Sequence, residues 1–175
     1  SEKNIAQHKA FLSAYDGDES ARADVLQWFK QLPLWLDLGY LRVVHACWDT
    51  DLIQRIAHAK DGRPILTESL LHEASQRGTR QHDAIETLLK GKEIALPHGQ
   101  SFQDKDKNTR HDIRVRWWAS DATTFRKAYI GPESARTHIP DDPIEGDHLV
   151  TYTPGAPPVF IGHYWLEGGP EPLAS

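Results

Sequence analysis

The stretch LPLWLDLGYLRVVHACW, residues 32–48, reads as two strands joined by a tight turn. Leucine occupies every second position from Leu34 to Leu38, and this alternation is typical of a β-strand. Gly39 and the residue after it suit a two-residue hairpin turn, with glycine at the position that needs a positive φ. We therefore predict a β-hairpin whose second strand ends abruptly at His45.

The returning strand carries two adjacent valines, Val43 and Val44, so apolar side chains leave both of its faces. Strands of this kind occur in sheets that are covered on both sides, as in α/β proteins. We therefore predict an α/β fold in which this strand is covered on both faces.

A second strand with the same kind of ending occurs in PPVFIGHYW, residues 157–165. Its apolar run at residues 159–161 stops at Gly162 and His163, as the first run stops at His45. In α/β sheets the chemistry tends to lie just beyond the carboxyl ends of strands. Neutral imidazole is also a common ligand for zinc, manganese and iron. The two histidines are therefore candidate metal ligands; for either one alone, the alternative is a polar residue that merely ends a strand.

Several helices are predicted around these strands. The apolar spacing indicates helices over residues 4–15 and 19–32, the second with one continuous apolar face. Asp49 is placed to cap a short helix that follows the hairpin. Two further helices are predicted within residues 66–90, separated near Gly78.

A later segment reads as a strand with two different faces, because apolar and polar residues alternate along it. The first face comprises Ile113, Val115 and Trp117, and the opposite face comprises Arg114, Arg116 and Trp118. The following residues 131–157 contain five prolines and are predicted to be rich in loops.

The composition limits the class of protein. The 175 residues suit one domain, and a hydrophobic content of 39% with six tryptophans is enough for a core. A net charge of −5 argues against a general binder of duplex nucleic acid or of anionic membranes, since both need clustered positive charge. The single cysteine, Cys47, excludes an internal disulfide and fits a reducing compartment, so we expect a cytoplasmic protein.

Two features of the sequence concern its extent. No methionine occurs and the first residue is Ser1, so we expect an internal fragment of a longer protein. No apolar run is long enough for a membrane-spanning helix, so we expect no membrane partner. No charged-then-apolar leader is visible, so nothing indicates secretion.

The stretches at residues 32–48 and 159–166 resemble the calcineurin-like metallophosphoesterases. More narrowly, they are similar to the bacterial phosphoprotein-phosphatase-type branch, which includes diadenosine tetraphosphatase-like enzymes. In that family the fourth of five motifs is a histidine that ends a strand, and the fifth is a Gly-His pair that ends a later strand. His45 matches the fourth motif, and the Gly-His pair ending in His163 matches the fifth. Residues 88–118 are also similar to the family's intervening segment, so the resemblance covers nearly the whole chain.

The resemblance implies a fold, a reaction and a set of cofactors. Residues 1–175 would form the carboxyl-side portion of one domain, part of a two-sheet β-sandwich flanked by helices, with a helical insertion around residues 64–90. The parent enzyme would hydrolyse phosphate monoesters or dinucleoside polyphosphates, using water activated by two divalent ions of manganese, or alternatively of iron or zinc. His45 and His163 would bind one of these ions. The partner would be a phosphorylated protein or nucleotide.

The chain also departs from the family pattern. The first three motifs, G-D-x-H-G, G-D-x-x-D-R-G and G-N-H-E, are absent. In the family they supply the other metal ligands and the catalytic histidine, so we expect them upstream of Ser1 and expect this segment alone to be inactive. The wider superfamily often reads G-H-x-H where this chain has Trp165, and the phosphatase-type branch usually lacks that second histidine.

Four more residues are candidates for contact with the substrate. The guanidinium group of arginine matches the oxygens of a phosphoryl group, which makes Arg114 and Arg116 candidate phosphate ligands. The alternative for both is a solvated or salt-bridged strand face. Tyr164 and Trp165 directly follow a proposed ligand and are candidates to line the substrate mouth, with core packing as the alternative.

Two other functions are compatible with these residues. One is a non-catalytic binding or regulatory scaffold on the same fold, which an upstream sequence without the three motifs would identify. The other is a mononuclear site built from His45, His163 and a local acid such as Asp49, which requires all three side chains to converge.

Overall fold

The computed structural model describes residues 2–56, 64–104, 107–146, 148–150, 152–164, 166, 169 and 171–173. Trp165, a predicted substrate contact, lies outside these residues. The described helices are α1 (Glu2–Gln7), α2 (Lys9–Ala14), α3 (Glu19–Gln31), α4 (Thr50–Ile56), α5 (Glu68–Ala74), α6 (Arg80–Lys90), α7 (Phe125–Ala128) and α8 (Glu133–Arg136). The described strands are β1 (Trp35–Asp37), β2 (Arg42–Val44), β3 (Glu93–Ala95), β4 (Phe102–Gln103), β5 (Thr109–Arg110), β6 (Asp112–Arg114) and β7 (Val159–Ile161).

These elements form a mixed α/β fold with several small sheets. The largest described sheet has the strand order β1-β2-β7, in which β1 is antiparallel and β7 parallel to β2. Two further pairs, β3 with β6 and β4 with β5, are antiparallel. The coarse α/β prediction is therefore confirmed.

The predicted hairpin is also confirmed. β1 and β2 are joined by a two-residue turn in which Gly39 has a φ of +80°. The carboxylate of Asp37 accepts hydrogen bonds from the N–H of Gly39 at 3.0 Å and from Nε of Arg42 at 2.9 Å. These bonds connect the turn to both strands and help to set the register in which β2 leads to His45.

The two faces of the central sheet differ in burial. Trp35 and Val44 lie on the core face and are 8% and 3% exposed. Leu36, Val43 and Phe160 pair across the three strands on the opposite face, where Leu36 is 41% and Phe160 62% exposed. Within the described residues, the prediction that this strand is covered on both faces is therefore not met.

The core packs α6 against the segment that contains the predicted two-faced strand. Leu88 of α6 is fully buried, as are Ile113 and Val115. The indole N–H of Trp117 donates to the carbonyl of Ala46 at 3.2 Å and ties this segment to the end of β2. The three apolar residues are buried as predicted, but the strand is shorter than predicted, because β6 ends at Arg114 and Trp117 lies in a turn. The buried residues support the strand end that carries His45.

Helices occur at all the predicted places, but the one predicted over residues 4–15 is divided into α1 and α2 at His8, and α3 packs differently from a typical surface helix. α3 covers the predicted segment, and Gly78 lies between α5 and α6 as expected. None of the residues in α3 is buried, and Trp28 is 56% exposed. The apolar face of α3 is therefore open among the described residues.

Two short helices were not predicted. α7 and α8 have four residues each, which is too short for apolar periodicity to show. α8 lies inside the segment that was predicted to be rich in loops. Within the described part of the chain, no helix has the combination of length and apolar character required to cross a membrane.

Candidate functional site

The central sheet brings the two predicted metal ligands to the same edge. β2 and β7 run parallel with Val44 paired to Ile161, so both strands end at the same level. His45 directly follows β2, and His163 follows β7 after one glycine. The N–H of Gly162 donates to the carbonyl of His45 at 3.0 Å, which extends the strand pairing into the site.

His163 lies at the centre of a tight turn. The N–H of Tyr164 donates to the carbonyl of Gly162, and the φ of His163 is +47°. A non-glycine residue in this left-handed region costs about 1–3 kcal/mol and persists only where its surroundings hold it. The turn places the imidazole of His163 against that of His45.

The contact between the two imidazoles has a spacing that suits two kinds of interaction. Nε2 of His45 lies 3.1 Å from Nδ1 of His163, with the ring planes at 64°. This separation fits a hydrogen bond between two neutral rings. It is also close to the distance of about 3.3 Å between two imidazole nitrogens that bind one tetrahedral zinc ion. The pair therefore has the spacing of two ligands on a single ion.

Arg114 determines which nitrogen of His163 carries the proton. Its Nη1 lies 3.1 Å from Nε2 of His163, and its Nη2 donates to Oε1 of Glu93 at 2.8 Å. A guanidinium group contains only donors, so Nε2 of His163 accepts and the proton of this ring lies on Nδ1. That N–H donates to Nε2 of His45. A chain of hydrogen bonds therefore runs from Glu93 to His45.

The surroundings keep His163 neutral. Burial lowers the pKa of His163 below its ordinary value of 6.5, and the neighbouring Arg114 and His45 lower it further. The neutral ring is the form that both the hydrogen-bond chain and metal ligation require.

A metal ion would compete with Arg114 for His163. A neutral imidazole has one unprotonated nitrogen, so Nδ1 can bind a metal only when Arg114 releases Nε2. In the described ranges, no group of three or more His, Cys, Asp or Glu side chains is arranged to hold a metal ion. The pair therefore fits as two ligands of an ion, and a complete centre needs further ones.

Because the described residues contain no group of three candidate ligands, Asp49 does not join the pair as the third ligand of a mononuclear site. Its Oδ1 accepts hydrogen bonds from the N–H groups of Asp51 and Leu52, both at 3.1 Å. These are the bonds of a helix cap, and they confirm the prediction that Asp49 begins α4.

The structure separates the two arginines that sequence analysis treated as equivalent. Arg116 donates through Nε and Nη2 to the carbonyl of Lys127, at 3.0 and 2.6 Å, and lies 3.7 Å from the carboxylate of Asp121. Arg114, in contrast, contacts the histidine pair through His163. Of the two predicted phosphate ligands, the structure therefore brings only Arg114 to the site.

Tyr164 is partly buried beside the pair. Its ring contacts those of Trp118 and His163 edge to face, with centroids 5.4 and 5.6 Å away. Its hydroxyl is buried and has no hydrogen-bond partner among the described residues. The nearby indole N–H of Trp117 donates to the carbonyl of Ala46. Burial raises the pKa of Tyr164. Tyr164 thus borders the site and is also packed into the protein.

An open cavity of about 600 Å³ borders the pair. It is lined by His45, Gly162, His163, Tyr164 and Leu166. It is a shallow depression that is wide open to solvent, and its shape alone does not define a small-molecule site. The exposed imidazole of His45 can therefore be reached by a ligand in the cavity.

Glu93 completes the site, although no feature of the sequence indicated it. Glu93 is paired with Arg114 across β3 and β6, so their side chains leave the same face of this sheet. No local sequence pattern predicts such a charged pair, because the register of the two strands determines which residues lie opposite each other.

Comparisons with protein-family models, curated proteins and solved structures find no match to this chain. The resemblance to calcineurin-like phosphoesterases therefore stays a prediction.

Proposed function

We propose that this chain provides part of the metal centre of a phosphoesterase, with His45 and His163 as two ligands of one divalent ion. The observation that carries the proposal is the 3.1 Å separation of Nε2 of His45 and Nδ1 of His163 at the ends of adjacent parallel strands. Manganese is the ion we favour, with iron or zinc as alternatives. Bound divalent ions would polarise a phosphoryl group and activate water for its hydrolysis.

Arg114 is the proposed phosphate ligand. Its guanidinium already lies against His163, and Glu93 holds its other end. When Arg114 turns from Nε2 of His163 to a phosphoryl oxygen, it supplies a charged, planar donor to the substrate. The same movement leaves His163 able to present Nδ1 as a ligand. The proposed substrates are phosphate monoesters or dinucleoside polyphosphates, on a phosphorylated protein or nucleotide.

The proposal requires ligands other than the described residues, since two imidazoles bind a metal weakly on their own. It also places the three-stranded sheet in a calcineurin-type β-sandwich. The open face formed by Leu36, Val43 and Phe160 supports this placement, because the second sheet of a sandwich packs on such a face. We further propose that the parent protein acts in the cytoplasm.

A second candidate is a non-catalytic scaffold on the same fold. It is favoured by the chain of hydrogen bonds from Glu93 through Arg114 and His163 to His45, which is complete without a metal ion. In this case the histidines stabilise the end of the sheet and bind no ion.

Calorimetric titration of the chain with Zn²⁺ and Mn²⁺ distinguishes the two candidates. The metallophosphoesterase proposal expects one ion per chain, bound weakly because the pair supplies only two of its ligands, with binding lost in both His45→Ala and His163→Ala. The control is His8→Ala, since His8 is exposed and its side chain caps no helix. Equal binding by all four proteins, or no binding by any, would leave the scaffold as the better account.

A further inference from the structure

The ring of Tyr164 lies in a space beside Gly91 that is left free because glycine has no side chain, and this space is called the slot. This glycine follows α6 at its carboxyl end, is buried and has a φ of +92°. A Cβ atom at this position would collide with the hydroxyl of Tyr164 and would lie 3.1 Å from Cε1 and Cζ of the same ring. Only glycine therefore lets the ring reach the end of α6.

Packing, and not hydrogen bonding, holds the Tyr164 ring in this slot. Buried tyrosine hydroxyls usually have a hydrogen-bond partner. The hydroxyl of Tyr164 has no partner among the described residues. The ring instead packs against the rings of Trp118 and His163 and lies over the α-carbon of Gly91. The shape of the slot thus sets the position of the ring.

The position of the ring affects the turn that precedes it. The N–H of Tyr164 closes the turn on Gly162, and His163 between them has the left-handed conformation. Such a conformation needs contacts that hold it from outside the turn. One contact is the Arg114 bond to the imidazole of His163, and the other is the packed side chain of Tyr164.

We infer that Tyr164 is a positioning residue whose ring, held in the slot over Gly91, keeps the turn of His163 in the conformation that presents Nδ1 to His45. The inference concerns the geometry of the pair and goes beyond the proposed function. Only its consequence for metal affinity rests on that function. It also gives Tyr164 a role different from the predicted substrate contact.

Nitrogen-15 NMR of the histidine rings tests the inference directly, because the shifts of Nδ1 and Nε2 report which nitrogen carries the proton. The wild-type chain is expected to show His163 protonated on Nδ1. Gly91→Ala and Tyr164→Leu are each expected to shift His163 towards a mixture of tautomers. If His163 is a metal ligand, both variants also bind Zn²⁺ about 10-fold more weakly, because Nδ1 no longer faces Nε2 of His45 and this loss of position outweighs the freer tautomer.

Two variants are matched controls. Gly78→Ala introduces the same side chain at a φ of +83°, but with no atom within 4 Å of the new Cβ, so it reproduces the backbone strain without the collision. Tyr164→Phe keeps the ring and removes only the hydroxyl. Both controls are expected to retain the wild-type tautomer. If Gly91→Ala fails to fold, the comparison of Tyr164→Leu with Tyr164→Phe still tests whether the Tyr164 ring positions His163.

The outcomes separate this inference from the proposed function. A changed tautomer in Tyr164→Leu, in a chain that binds no metal, supports the positioning role and contradicts the metal site. A folded Tyr164→Leu variant with the wild-type tautomer and unchanged Zn²⁺ affinity overturns the positioning role, even if the metal site exists.

Discussion

Nη1 of Arg114 lies 3.1 Å from Nε2 of His163, and this contact assigns the ring proton of His163 to the nitrogen that faces His45. One arginine therefore controls the state of the proposed ligand. The same guanidinium is the proposed phosphate contact. Metal binding at His163 and phosphate binding at Arg114 therefore cannot be independent of each other.

The first prediction concerns the protonation of His163. Its pKa should lie below 6.5 in the folded chain, because of burial, Arg114 and His45. The unfolded chain then binds the proton more tightly, so the stabilising contribution of neutral His163 is lost as the pH falls from 6.5 through the folded pKa. Arg114→Gln should raise this pKa, as followed by NMR titration of the ring. Arg116→Gln is the matched control and should leave it unchanged, and equal effects of the two variants would contradict the assigned contact.

The second prediction concerns competition at the same ring. If Arg114 must leave Nε2 before Nδ1 binds a metal, Arg114→Gln should tighten Zn²⁺ binding by roughly 5-fold or more. The same variant should weaken the binding of inorganic phosphate to the Zn²⁺-loaded chain, since it loses the charged donor. Calorimetry measures both. Weaker binding of both ligands would show that Arg114 does not compete with the metal.

The third prediction separates helix capping from metal ligation at Asp49. Asp49→Ala should lower the free energy of unfolding by about 1 kcal/mol, because two N–H groups of α4 lose their acceptor. It should leave Zn²⁺ affinity unchanged. Denaturant unfolding and calorimetry test the two parts, with the exposed Asp51→Ala as the control variant. A loss of Zn²⁺ binding specific to Asp49→Ala would revive the mononuclear site.

The fourth prediction uses two neighbouring valines on β2. Val44→Ala should lower the free energy of unfolding by about 2 kcal/mol, since it removes two buried methyl groups and leaves a cavity. Val43→Ala on the open face should cost less than about 1 kcal/mol, because its cross-strand neighbour Phe160 is largely exposed. Equal costs in urea unfolding would mean that the second face is covered as well, for example by association of chains.

Much of the fold could be predicted because its signals are local. The alternation from Leu34 to Leu38 and the glycine of the turn specify the hairpin within a few residues. Capping by Asp49 and the break at Gly78 are equally local. The meeting of His45 and His163, 118 positions apart, could be expected only from the rule that chemistry collects at strand ends.

The parts of the site that could not be predicted depend on contacts between segments that are distant in sequence, which no local pattern encodes. The register of β3 with β6 places Glu93 beside Arg114, and the approach of Tyr164 to Gly91 joins two segments that are distant in sequence. Arg116 has the same spacing and chemistry as Arg114, yet a backbone carbonyl holds it elsewhere. Which of two like residues enters a site is therefore a property of the tertiary structure.

Histidine NMR of the chain at one equivalent of Zn²⁺ shows whether the pair binds a metal. We predict that Nε2 of His45 and Nδ1 of His163 shift together as metal ligands, that the proton of His163 moves to Nε2, and that the other eight of the ten histidines stay unchanged. If Zn²⁺ leaves these two rings unaltered, or shifts other histidines in their place, the pair is not a metal site.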